Sequence, residues 1–163
     1  MSVWRLCKYG DLDRLEEALR SGEDVNWVTD GGNPSGLTGL MYAAHKNRFS
    51  TQDSRYHENH MSILELLLRQ PNIDINALDG HGNTALHYCV IGANIEGMRL
   101  LLAHPEMRSL NIKNKDVHTP LMRAVCDGRV GLVEVLLGVE GIDLDTRDGW
   151  NRDLAGMARC QIK

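Results

Sequence analysis

Two imidazoles and a carboxylate come together at His57-Glu58-Asn59-His60, with His45 at the other end of the same polar stretch, and this is the one ionisable cluster worth testing for chemistry. Imidazoles are common ligands for zinc, copper or nickel, so a metal-binding or enzymatic regulator using His45 to His60 is one chemistry to weigh. The spacing is poor for it. A metalloprotease helix sets two His four apart on one face, whereas His57 and His60 are three apart at the edge of a polar segment. The expectation is that no metal is bound. Nucleophilic catalysis has as little to rest on, because Cys89 and Cys126 stand among small apolar residues, where thiols are more often inert packing atoms than activated thiolates. Gly80-His81-Gly82 falls in a turn between repeated segments and follows no strand, so it is not a phosphate cradle. The sequence therefore predicts no enzyme, no catalytic residue and no cofactor, and function must lie in surfaces.

What could carry such surfaces is bounded by composition. The chain has 163 residues, 42% hydrophobic and 25% charged, near the globular average. A net charge of −4 offers no basic field for a phosphate backbone, so nucleic acid is not an expected partner. No apolar run approaches the roughly 20 residues needed to cross a bilayer, so no membrane is expected either. Aromatic residues are only 5% of the chain. The core must then be built from many small aliphatic contacts. The first residues, Met1 to Asp13, lack the apolar centre of a secretion signal. Cys7, Cys89, Cys126 and Cys160 are too widely spaced for a zinc finger or a dense disulfide framework. Asn33-Pro34-Ser35 is disqualified as a glycosylation triplet by its proline. These features predict reduced thiols and an intracellular location, cytoplasmic or nuclear.

Repetition organises the chain. Thr38-Gly39-Leu40-Met41-Tyr42-Ala43-Ala44, Thr84-Ala85-Leu86-His87-Tyr88-Cys89-Val90 and Thr119-Pro120-Leu121-Met122-Arg123-Ala124-Val125 align. Each reads as a helix start, with Thr as the cap and Pro120 at the first helical position, where its missing N–H costs nothing. Second aliphatic clusters follow at Ile63 to Leu68, Met98 to Leu102 and Leu132 to Leu137, and read as second helices. After them come Ile73-Asp74-Ile75-Asn76, Leu110-Asn111-Ile112 and Ile142-Asp143-Leu144-Asp145. The N-terminal segment has Leu12, Leu15 and Leu19 on one helical face and Asp24-Val25-Asn26 after it, but lacks an evident Thr-led opening. Helices of two to three turns are below the ~12–15 residues at which an isolated helix is even marginal, so they must persist by stacking.

These residues resemble the ankyrin-repeat family, whose unit of about 33 residues runs from a turn through a Thr-Pro-Leu-His helix to a Leu-rich helix. The resemblance implies an all-α solenoid of stacked helix-turn-helix units joined by hairpin-like turns. It divides the chain into repeats near 1–32, 33–78, 79–113 and 114–147, with a C-terminal cap at 148–163. The longer second unit is assigned an inserted loop at 47–59, which costs little because closure entropy grows slowly with loop length.

The resemblance also implies a non-enzymatic module, expected to be a monomer, that binds a protein partner through turn tips and the concave face of the first helices. By resemblance the tip residues are Pro34, Ser35 and Leu37, then Gly80, His81 and Asn83, then Lys115, Asp116 and His118, with Trp150 in the last unit. Inner-face candidates are His45, Lys46, Ile91, Cys126 and Asp127. Tyr42, Tyr88 and Arg123 replace the family's usual Leu after the motif's His position; because Arg is seldom buried without a partner, this column is expected to reach the concave surface. His87 is expected to be structural. Leu68, Asp74, Ile75 and Asn76 further resemble the pattern recognised by asparaginyl hydroxylases, which makes Asn76 a candidate for hydroxylation.

Overall fold

Short apolar helices with a hydroxyl or carboxamide at their start pair into hairpins and stack. In the computed structural model, residues 2–29, 36–45 and 55–159 are described, the backbone alone over 55–58. The described residues are helical without a strand: α1 (Val3–Tyr9), α2 (Leu12–Arg20), α3 (Gly39–Ala44), α4 (Arg55–Leu68), α5 (Ala85–Ile91), α6 (Ile95–Leu102), α7 (Pro120–Cys126), α8 (Val130–Leu137) and α9 (Leu154–Arg159). Thr38 Oγ1 accepts from the Met41 N–H at 3.3 Å and Thr119 Oγ1 from the Met122 N–H at 3.2 Å. These bonds satisfy N–H groups that have no partner within the helix. Asp11 and Asn94 cap α2 and α6 in the same way.

The odd-numbered helices form one row, α1 on α3 on α5 on α7 on α9, and the even-numbered helices a second row, α2 on α4 on α6 on α8. Each hairpin, α1 with α2 and so on to α7 with α8, joins the rows. Between them lies the core, with Leu15, Leu40, Ile63, Leu64, Leu86, Met98, Leu101, Leu121 and Leu136 all fully buried. Each such side chain contributes about 1.5–3 kcal/mol relative to exposure, which is how helices too short to survive alone are held. Close approach between first helices depends on absent side chains. A Cβ on Gly39 would meet Cys7 Sγ at 2.8 Å, and one on Gly92 would collide with the His45 carbonyl oxygen.

Two expectations need correction. The first repeat has a complete hairpin: Val3, Leu6 and Cys7 form the buried stripe of α1, although Ser2 caps it without a side-chain bond. The expected loop at 47–59 is helical from Arg55 onward, because α4 runs upstream of the place where the other second helices begin. Its side-chain tether there is Asn59, whose Nδ2 donates to the Gly10 carbonyl at 2.8 Å, and His60 beside it is buried. Residues 47–54, the remainder of that segment, lie outside the described residues.

Candidate interaction surface

Each hairpin-like turn is wound around one acceptor side chain. Asp79 Oδ1 accepts from the His81 and Asn83 N–H groups, both at 2.8 Å, while the Asp79 N–H donates to the Asn83 carbonyl. Asn114 Oδ1 does the same for Asp116 and His118, and Asp148 Oδ1 for Trp150 and Arg152. In the first turn Thr29 takes this place. Its Oγ1 accepts from the Leu37 N–H, and the span is longer, with residues 30–35 outside the described set. The residue before the turn's end has positive φ each time: Gly36 (55°), Gly82 (74°), Val117 (62°) and Asn151 (60°). Glycine and asparagine adopt that conformation readily, whereas a β-branched valine is strained in it.

Neighbouring turns are tied together below their tips. Asn114 Nδ2 donates to Asn83 Oδ1 at 2.8 Å. His87 bridges two repeats: its Nδ1 accepts from the Thr84 N–H at 3.1 Å, which leaves the proton on Nε2 to donate to the His118 carbonyl at 3.0 Å. Burial pushes the His87 pKa below the ordinary histidine value despite the hydrogen bond to His118 and the Asp79 charge, so the ring stays neutral in that role. At the other end of each strand-like segment runs an asparagine ladder. Asn26 Nδ2 donates to the Asn72 carbonyl and its Oδ1 accepts from the Asp74 N–H. Asn76 Nδ2 donates to the Glu106 carbonyl and its Oδ1 accepts from Arg108 and Ser109, and Asn111 links to Gly141 and Asp143.

On this scaffold, His81, Lys115 and Asp116 are exposed at the tips, and Trp150 is 73% exposed. Arg152 lies over the Trp150 ring at 4.9 Å and donates from Nε to Asp148 Oδ2 at 2.7 Å. Desolvation acts to raise the Asp148 pKa. Hydrogen bonds from Arg152 and Trp150, together with the Arg152 charge, outweigh it and hold the carboxyl below the ordinary aspartate value. Behind the tips, Tyr88 donates its hydroxyl to Asp79 Oδ2 at 2.6 Å, and burial with this bond keeps the phenol protonated. Arg123 Nε donates to Asp127 Oδ2 at 2.9 Å, both side chains half-exposed. Ile91, Cys126 and His118 are half-buried along the same side.

The expected column is therefore shorter than its sequence pattern. Tyr42 is only 4% exposed, because the Trp4 ring stacks on it at 5.8 Å and 23°. His45 is buried too, its ring 5.9 Å from that of Tyr88. Leu37 and Asn83 are buried in the turn bases, where one packs into the core and the other joins the hydrogen-bonded frame. Lys46, Pro34 and Ser35 lie outside the described residues. Sequence reasoning missed Arg152 and Arg5; the latter is exposed and sits over Trp4 at 5.2 Å. The signal for both was an arginine next to, or two residues from, a tryptophan.

Cys7 and Cys89 are buried, and burial pushes their thiols and that of Cys126 upward, away from thiolate character. The described residues contain no group of three or more His, Cys, Asp or Glu able to hold a metal ion. They also contain no helix long and apolar enough to cross a membrane.

Comparison with known proteins agrees with the geometry. Residues 54–148 match a family model of ankyrin repeats in three copies. The chain is 30% identical over 140 residues to a Rickettsia felis protein named for its ankyrin repeats, covering 86% of this chain and 40% of that protein. It is 33% identical over 121 residues to mouse ankyrin repeat domain-containing protein 13C, covering 74% of this chain and 19% of the relative. It thus spans less than half the length of either. With helix pairs, turn frames and asparagine ladder all repeating in register, the chain belongs to the ankyrin repeat family.

Proposed function

We propose that this chain is a non-catalytic module that binds another protein across the turn tips and the inner side of α5 and α7. Ankyrin repeats generally serve protein–protein interaction, and the finer reading rests on one arrangement. Side chains of types enriched at binding hot spots, Tyr88, Arg123, Trp150 and Arg152, are each held by a hydrogen bond or ring contact, beside turns fixed by the hydrogen bonds of Asp79, Asn114 and Asp148. Pre-ordered side chains lose little entropy on binding, so affinity is gained without new structure. Nothing among the described residues favours a metal-dependent or catalytic role for the His45 to His60 stretch.

The test is affinity capture from the source cell with the full chain and with a Tyr88→Ala/Arg123→Ala/Trp150→Ala variant. A hot-spot truncation costs about 2 kcal/mol, roughly thirtyfold in affinity, so the variant should lose the specific partner. Undiminished capture by a folded variant would overturn this surface assignment.

A further inference from the structure

Among the described residues, three other than glycine have positive φ: Ala93 at 52°, Asn151 at 60° and Val117 at 62°. Asparagine reaches this left-handed region readily, and alanine brings only a methyl group to it. Valine is the costly one, because the branches on its Cβ crowd the adjacent backbone. The turn itself does not call for it, since Gly36, Gly82 and Asn151 hold the same place in the other turns. Nor does the core, from which Val117 is absent; it stands 38% exposed at the tip. Backbone strain of this kind gathers at binding and switch sites, where the strained residue has a use other than folding.

The surroundings say what that use is. A Cβ on Gly149 would stand 3.7 Å from Val117 Cγ2, so Val117 lies against the turn that carries Trp150, itself 73% exposed. Two large apolar side chains are thus presented to solvent on adjoining turns. The exposed charges beside them are basic in the main. Over 113–118 and 147–152 the exposed basic residues are Lys113, Lys115 and Arg147, and Lys113 Nζ ties the two segments by donating to the Arg147 carbonyl at 2.8 Å. Of the two acids there, Asp148 is buried and bound by Arg152, which leaves Asp116 exposed.

Resting on the turn-tip reading given above, we infer that Val117 and Trp150 are the apolar anchors of that surface, and that the partner segment they hold is acidic, with an aliphatic or aromatic side chain between carboxylates. The apolar group covers Val117 and Trp150, and the carboxylates face Lys113, Lys115 and Arg147. Like-charge juxtaposition disfavours a basic segment in the same place. Burial of Val117 in the complex offsets the strain that the free chain carries.

The probe is a short peptide selected from a random phage-displayed library on the immobilised full chain, then synthesised and titrated by fluorescence anisotropy. Selected peptides should carry an aliphatic or aromatic residue flanked by Asp or Glu, and their binding should weaken with added salt. Val117→Asn puts at this position the residue type that Asn151 supplies in the next turn. It should raise the thermal midpoint by about 2–4 °C while weakening the peptide about tenfold or more. A valine with a structural role alone would not lose binding in a more stable fold. Lys115→Glu should weaken the peptide by a similar factor. A library that enriches nothing, selected peptides that are basic or uncharged, or affinity unchanged in Val117→Asn would each overturn the inference. Should Tyr88→Ala/Arg123→Ala abolish binding that Val117→Asn leaves intact, the surface stands and its anchor falls. Should neither variant alter binding, both fall.

Discussion

Replacing Asn76 by alanine removes three hydrogen bonds that cross from one repeat to the next: 2.8 Å to the Glu106 carbonyl, 2.9 Å from the Arg108 N–H and 3.0 Å from the Ser109 N–H. At about 0.5–1.5 kcal/mol each, the simple sum is roughly 1.5–4.5 kcal/mol. The three are not equal. Glu106 and Arg108 are exposed, so water takes over their backbone groups, while Ser109 is buried and its N–H would be left unsatisfied at about 1–3 kcal/mol. The expected loss is about 2–3 kcal/mol, a large fraction of the ~5–15 kcal/mol typical of a whole domain. Asn26→Ala and Asn111→Ala are the internal comparison. Each removes two bonds to exposed backbone, Asn72 with Asp74 and Gly141 with Asp143, and should cost only about 1–2 kcal/mol. Urea unfolding followed by circular dichroism measures all three. Since neighbouring repeats are coupled through these bonds, Asn76→Ala should also lower the m value by loosening a central interface. Equal losses at the three positions, or an Asn76 variant within about 0.5 kcal/mol of the parent, the ordinary range for surface changes, would refute the ladder's assigned weight.

Stability should fall in acid through His87. Its folded pKa lies below the unfolded 6.5, so below that pH the unfolded chain binds the extra proton; stability drops by up to about 1.4 kcal/mol per pH unit, and urea titrations from pH 7.5 downward should show a gentler slope in His87→Gln. Ala93 has φ 52° where Gly10 and Gly128 hold the same corner, and it is exposed; Ala93→Gly should raise the thermal midpoint, with a gain up to about 1 kcal/mol. Gly92→Ala should cost about 2–3 kcal/mol or more by chemical denaturation, because the added methyl meets the backbone oxygen of His45, which cannot rotate away.

What was legible in the sequence was whatever repeats through backbone geometry. Thr38 and Thr119 mark helix starts because an unpartnered N–H needs an oxygen at one fixed place, and Asn26 and Asn76 mark repeat seams because their Oδ1 atoms accept from backbone N–H groups of the next repeat. The hairpin of the first repeat was less visible. Ser2 makes no capping bond, and only the i, i+3, i+4 spacing of Val3, Leu6 and Cys7 betrays α1. Tyr42 shows why the surface resisted reading. It shares its register with Tyr88 and Arg123, yet its exposure is decided by Trp4, a residue 38 positions away whose stacking no local pattern encodes.

The same distinction separates the array's two faces. Tyr88 and Arg123 are each fixed by one carboxylate on the same or a neighbouring element, so a substitution that leaves Asp79 and Asp127 in place changes the surface without disturbing the stack. The asparagine ladder and His87 lie on the load path between repeats, where any change is felt as lost stability. A repeat protein can vary the first set freely because the second set is fixed.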